Sequence, residues 1–138
     1  MRGSAVASLM IVGILAAGGC SGPAATGAPG TFTRAGSMKT SRNWGTATLL
    51  QDGRVLFAGG ASDVEQPPVA SAELFDSRLP SFASFNWTGS MRFARWGHTA
   101  TLLPDGRVLI AAGENGSKSL ASAELYDPKT STLSRPGR

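Results

Sequence analysis

With one cysteine and one histidine among 138 residues, the chain can form neither an internal disulfide nor a zinc site of His and Cys ligands. Charge is also sparse, at 16% of residues, with a formal net charge of +4. No two Lys or Arg are adjacent, so the basic stripe of a nucleic-acid-binding protein is missing. The longest apolar run, Leu9–Ala17, is well short of the ~20 residues that span a bilayer. What is plentiful is Gly (18) and Pro (8), which break helices and argue against a helical bundle. The glycines have no three-residue period, so collagen is excluded too.

The first residues read as an address. Arg2 is the only charge before residue 34, and the apolar run follows it. A basic start and a short apolar stretch mark a secretory signal. Ala17-Gly18-Gly19-Cys20 then resembles the lipobox of bacterial lipoproteins, in which the cysteine is lipidated and becomes the mature N-terminus. Ala17 stands where that motif usually has a larger aliphatic residue, and ordinary cleavage with an incidental thiol is the other reading. Residues 1–19 form the expected signal, and residues 20–30, small, uncharged and rich in Gly and Pro, form a tether. Losing residues 1–19 removes Arg2 and leaves a charge of +3.

The remainder, residues 31–138, repeats itself. Residues 36–60 match residues 89–113 at 16 of 25 positions, an offset of 53. Ala70–Asp76 recurs as Ala121–Asp127 at an offset of 51. Between these blocks the loop Ala61–Ala70 is two residues longer than Glu114–Ala121, which marks a surface loop. The repeats run over about 36–88 and 89–138. Each reads as short strands. Asp52-Gly53 and Asp105-Gly106 sit between apolar runs and predict two-residue primed hairpin turns. Val55–Ala58 and Val108–Ala111 lack polar alternation and predict strands buried on both faces. Further strands are expected at Ala123–Tyr126 and near Thr132–Ser134. Four antiparallel strands per repeat of about 50 residues is the pattern of a propeller blade.

The ordered matches resemble kelch repeats, the type that builds kelch propellers and the central domain of galactose oxidase. Gly59-Gly60 and Phe75 fit that pattern in the first repeat, as do Gly113 and Tyr126 in the second, with Ala112 in place of a glycine. Phe85 and Leu133 take the Trp-like position. Phe85-x-x-Thr88-Gly89-x-Met91 is echoed by Phe32-x-x-Ala35-Gly36-x-Met38. The resemblance implies an all-β fold of two four-stranded antiparallel blades, an incomplete β-propeller. Such repeats normally need neighbours on both sides. Three explanations compete: a fragment of a longer protein, a ring completed by identical copies, or pairing with other kelch blades.

Chemistry is harder to find. The copper radical site of galactose oxidase needs two His and two Tyr, one of them joined to Cys; His98, Tyr126 and Cys20 fall short of that set. No catalytic, cofactor or metal residue is therefore assigned. Arg42 and Arg95 precede the first strand of each repeat, and Glu73 and Glu124 recur within otherwise apolar strands, so each blade is expected to hold an Arg–Glu pair, within or between blades. Trp44 and Trp96 sit one step out of register and are either inter-blade packing or a stacking surface for sugar or peptide. The loops Ser62–Pro68 and Asn115–Ser119 are the ligand-facing candidates.

The expected role is a non-enzymatic, lipid-anchored binding or scaffold module of the bacterial envelope, with a protein or carbohydrate ligand, a membrane anchor, scope for self-association and no nucleic acid. The alternative is a truncated part of a larger carbohydrate-acting enzyme whose active residues lie outside this chain. Intact mass of protein recovered from membranes is expected to show a diacylglyceryl group on Cys20 that disappears in Cys20→Ser. A lipid-free form beginning beyond residue 20 would remove the assignment.

Overall fold

Strand-forming sequence in this chain comes in four-residue pieces closed by Gly, Asp or Pro, too short for anything but small meandering sheets. The computed structural model describes residues 30–134. The signal, Cys20 and nearly all of the tether lie outside them. Eight strands form in chain order: β1 Thr46–Leu49, β2 Val55–Ala58, β3 Ala72–Phe75, β4 Phe85–Trp87, β5 Thr99–Leu102, β6 Val108–Ala111, β7 Ala123–Asp127 and β8 Thr132–Ser134. They make two antiparallel sheets, β1-β2-β3-β4 and β5-β6-β7-β8. Each sheet is one blade, and β1 of the first lies beside β5 of the second. The register is the same in both: Leu49 faces Val55, which faces Phe75, which faces Phe85, while Leu102 faces Val108 and Val108 faces Tyr126, which faces Leu133. Phe85 and Leu133 thus occupy equivalent sites despite their different spacing from β3 and β7.

The hairpin turns differ from the two-residue primed form. Leu50 N donates to Arg54 O and Gly53 N donates to Leu50 O, so the loop has three residues, Gln51-Asp52-Gly53. The same bonds join Leu103, Gly106 and Arg107 in the second blade. Only the glycines, Gly53 at φ 84° and Gly106 at φ 87°, are left-handed; Asp52 and Asp105 are not. This is a type I turn followed by a left-handed glycine bulge. At Pro104 the missing N–H could not close a two-residue loop, while the ring's φ near −65° suits the second residue of a type I turn; Gln51 holds that place in the first blade. The aspartates instead accept from the turn: Asp52 Oδ1 takes Arg54 N at 3.0 Å and Asp105 Oδ1 takes Arg107 N at 3.0 Å.

The core lies between the blades. Side chains alternate faces along a strand, and the two blades use opposite faces. In the first blade Leu50, Leu56, Ala58, Ala72 and Leu74 are buried; in the second, Val108, Ile110 and Tyr126 are, with Leu125 buried on the other face. The central strands are therefore not buried on both faces. Val55 and Phe57 on β2, and Leu109 and Ala111 on β6, are only half-buried, because no element among the described residues covers them.

Gly53 has open space where a Cβ would go, so substitution there isolates the backbone conformation. Gly53→Ala is expected to lower unfolding free energy by about 1–2 kcal/mol through positive-φ strain alone. Gly106→Ala should lose a similar amount, because the atoms nearest its Cβ belong to the flexible end of Gln51, which can move aside. Urea titration of both variants measures this, and an unchanged midpoint for Gly53→Ala would contradict the turn assignment.

Candidate functional site

Two buried ion pairs hold the segments that lead into each blade. Glu73 accepts from Lys39 N at 2.7 Å, Thr40 N at 3.1 Å and the Arg42 guanidinium at 3.0 Å. The same Arg42 donates to Gly59 O, Ser71 O and Ser71 Oγ. In the second blade Glu124 accepts from Arg92 N, Phe93 N and Arg95, and Arg95 donates to Ala112 O and Ser122 O. The pairs are formed within each blade, and all four side chains are at most 4% exposed. With so many hydrogen bonds satisfied, the carboxylates are occupied as anchors and have little freedom to act on a substrate.

His98 belongs to the junction as well. Its Nε2 lies 2.9 Å from Thr46 Oγ1 across the blades, and its buried Nδ1 has no partner among the described residues. Burial, with the nearby Arg95 charge, pushes its pKa down to about 4. Tyr126 is fully buried, its hydroxyl 2.8 Å from Thr88 Oγ1. Neither side chain is open to a ligand.

Two cavities among the described residues bear on function. One, of about 640 Å³, is lined by the hairpin turns of both blades, including Asp52, Arg54, Asp105, Gly106 and Arg107. Four of the charges that line it are matched, Asp52 with Arg54 and Asp105 with Arg107, each pair at 2.7 Å, and Asp127 and Lys129 also line it. The other, about 700 Å³, is lined by Trp44, Val64, Trp96, Ala112, Glu114 and Leu120, with Gly97, Gly113 and Ser119 completing it. Val64 and Ser119 come from the two loops singled out in the sequence. The rings of Trp44 and Trp96 meet edge to face, centroids 5.6 Å apart. Trp44 is 47% exposed and Trp96 half-buried, so the pair packs across the blades and also forms a wall of the groove. Trp96 is fixed by reciprocal backbone bonds with Glu114, both 3.0 Å.

The backbone of this groove is strained where the repeats diverge. Trp44 has φ 55° and Ala112 has φ 60°. Their repeat counterparts, Gly97 at φ 58° and Gly59 at φ 61°, are glycines in the same left-handed conformation. The blade geometry demands positive φ at both sites, and a bulky residue there costs about 1–2 kcal/mol. Sequence reading missed this, although the signal was present: Trp44 stands in the alignment slot of Gly97.

No family model matches this chain, and no curated protein matches it. Among solved structures it is similar to a fungal alcohol oxidase of the AA5 family in complex with copper, with 17% identity and a TM-score of 0.62. The match covers 70% of this chain and 22% of that one, so the chain spans about a fifth of the oxidase. The shared feature is the fold. The donors do not fit a copper site: among the described residues no three His, Cys, Asp or Glu cluster, and His98 is enclosed at the blade junction.

His98 sets a pH dependence. Its folded pKa, about 4, lies below its ordinary value of 6.5, so the fold favours the neutral ring. The resulting stability is present above pH 6.5 and lost as pH falls toward 4, by on the order of 3 kcal/mol. Urea midpoints across that window should fall in the wild type and fall less in His98→Asn. Parallel curves for the two proteins would contradict it.

Proposed function

We propose that these residues are two blades of a larger galactose-oxidase-like propeller, and that the Trp44–Trp96 groove holds a neutral carbohydrate on it. The observation that carries this reading is the groove itself. It joins a half-exposed indole, a second indole set edge-on and one carboxylate, Glu114, on a backbone that tolerates strain to keep Trp44 in place. Flat indole faces suit the C–H faces of a sugar ring, and a carboxylate accepts from its hydroxyls. Strained non-glycine residues cluster at ligand sites more than elsewhere. Likeness to a fifth of an alcohol oxidase supports the larger propeller. Any bond-breaking chemistry would come from groups beyond the described residues, because the buried His98, Tyr126, Glu73 and Glu124 are all committed to structure.

A second reading is favoured by a separate observation, the apolar run Leu9–Ala17 that leads to Cys20. On it the same groove would be displayed from a lipid anchor at the envelope as a binding module without catalysis.

Tryptophan emission titrated with neutral oligosaccharides is the direct test. Binding should shift or quench emission, and Trp44→Ala should weaken it about tenfold, equivalent to about 1.4 kcal/mol. Glu114→Gln should weaken it less. No response to any sugar, or an affinity untouched by Trp44→Ala, would overturn the assignment.

A further inference from the structure

Each blade has one face in the junction and one face left over, and the leftover faces match the halves of the junction. On the first blade the free face presents Leu49, which is 63% exposed, with Val55, Phe57, Phe75 and Phe85. The three phenylalanines cluster, with ring centroids 5.0 and 5.7 Å apart. Their counterparts on the second blade, Leu102, Val108, Ile110, Tyr126 and Leu133, form the second blade's half of the core. The free face of the second blade presents Leu109 and Ala111, whose counterparts Leu56 and Ala58 form the first blade's half.

The polar groups follow the same rule. Gly60 N donates to Arg95 O at 2.8 Å and Gly97 N donates to Trp44 O at 2.9 Å across the junction. The repeat counterparts of these four groups are Gly113 N, Arg42 O, Trp44 N and Gly97 O. None has a hydrogen-bond partner among the described residues.

We propose that a second copy of this chain docks its first-blade free face onto the second-blade free face of the first, repeating the internal junction between molecules. This rests on the reading of the chain as two blades of a larger propeller, and it names the source of the other blades. The contact is head to tail, so it closes into a ring or continues indefinitely. Rings of four to eight blades correspond to two, three or four copies. One site departs from the template. A Cβ at Gly59 would stand 2.5 Å from Arg95 O, and Ala112 carries that Cβ. The intermolecular junction must therefore sit slightly wider than the internal one, and removing the methyl should tighten it.

Sedimentation velocity and native mass spectrometry on the full chain test the proposal. The expected result is a discrete species of two to four copies. Leu49→Asp and Leu109→Asp each spoil one face and should yield monomers with unchanged β-type circular dichroism. Mixed together, they should form a 1:1 pair, because each retains the face the other lacks. Ala112→Gly should lower the dissociation constant several-fold. A monomeric wild type at tens of micromolar, an oligomer indifferent to both aspartates, or variants that fail to pair would overturn it. Tryptophan emission with oligosaccharide on the same samples separates the two claims: a monomer that still responds removes the second copy alone, and one that does not removes the carbohydrate groove as well.

Discussion

A guanidinium and a carboxylate, both out of water, fix the geometry of each blade. Arg42–Glu73 and Arg95–Glu124 tie the lead-in segment to the ends of the second and third strands. Such a pair gains little net stability over a hydrophobic replacement, but losing one partner strands a buried charge at a cost of about 3–5 kcal/mol. Its value here is positional. By gripping the carbonyls of Gly59 and Ser71, Arg42 sets where the first strand must begin. Arg95 does the same in the second blade and offers its own carbonyl to Gly60, so the staple of one blade is also a docking point for the other. The junction core, His98 and the tryptophan groove all hang from that arrangement.

Much of this was legible in the residues. The offset of 53 and its change to 51 located both blades and the loop that varies between them. The apolar runs located the central strands, and the recurrence of Arg and Glu in apolar surroundings pointed to a pair. What could not be read was any property that depends on the neighbour. Val55 and Val108 are the same residue in the same register, yet one is half-exposed and the other fully buried. Whether an Arg–Glu pair closes within or between blades is likewise a matter of distance in space. The turn type was misread for a local reason: Asp-Gly suggests a two-residue loop, which Pro104 has no N–H to close, and the first blade takes the same three-residue turn with Gln51 in that place.

The groove shows how a repeat acquires an individual feature. Blade geometry requires left-handed backbone at two places, and glycine satisfies it freely at Gly59 and Gly97. At Trp44 and Ala112 the chain accepts strain instead. The two departures face the same cavity, from different blades. Conformational cost concentrated on one end of the junction, while the other end keeps self-paired Asp–Arg turns, separates a working end from a merely closed one.

The inverted burial of the two sheets bears on how this chain can change over time. A duplication begins with two equal copies of every residue, but here several apolar pairs of equivalents on the central strands are split into one constrained member and one free member, while the Arg–Glu pairs and Leu74 and Leu125 stay buried in both. Leu56 is locked in while Leu109 is at liberty; Ile110 is locked in while Phe57 is at liberty. Tyr126 has a hydroxyl partner in Thr88, whereas Phe75 has neither the hydroxyl nor, at Ala35, an equivalent threonine to meet it. Averaging the two repeats into a consensus would blur this pattern, because tolerance runs along both with the same period and opposite phase. Drift in either blade is therefore guided by its mirror position in the other, and the surviving similarity between the repeats measures shared backbone demands more than shared surroundings.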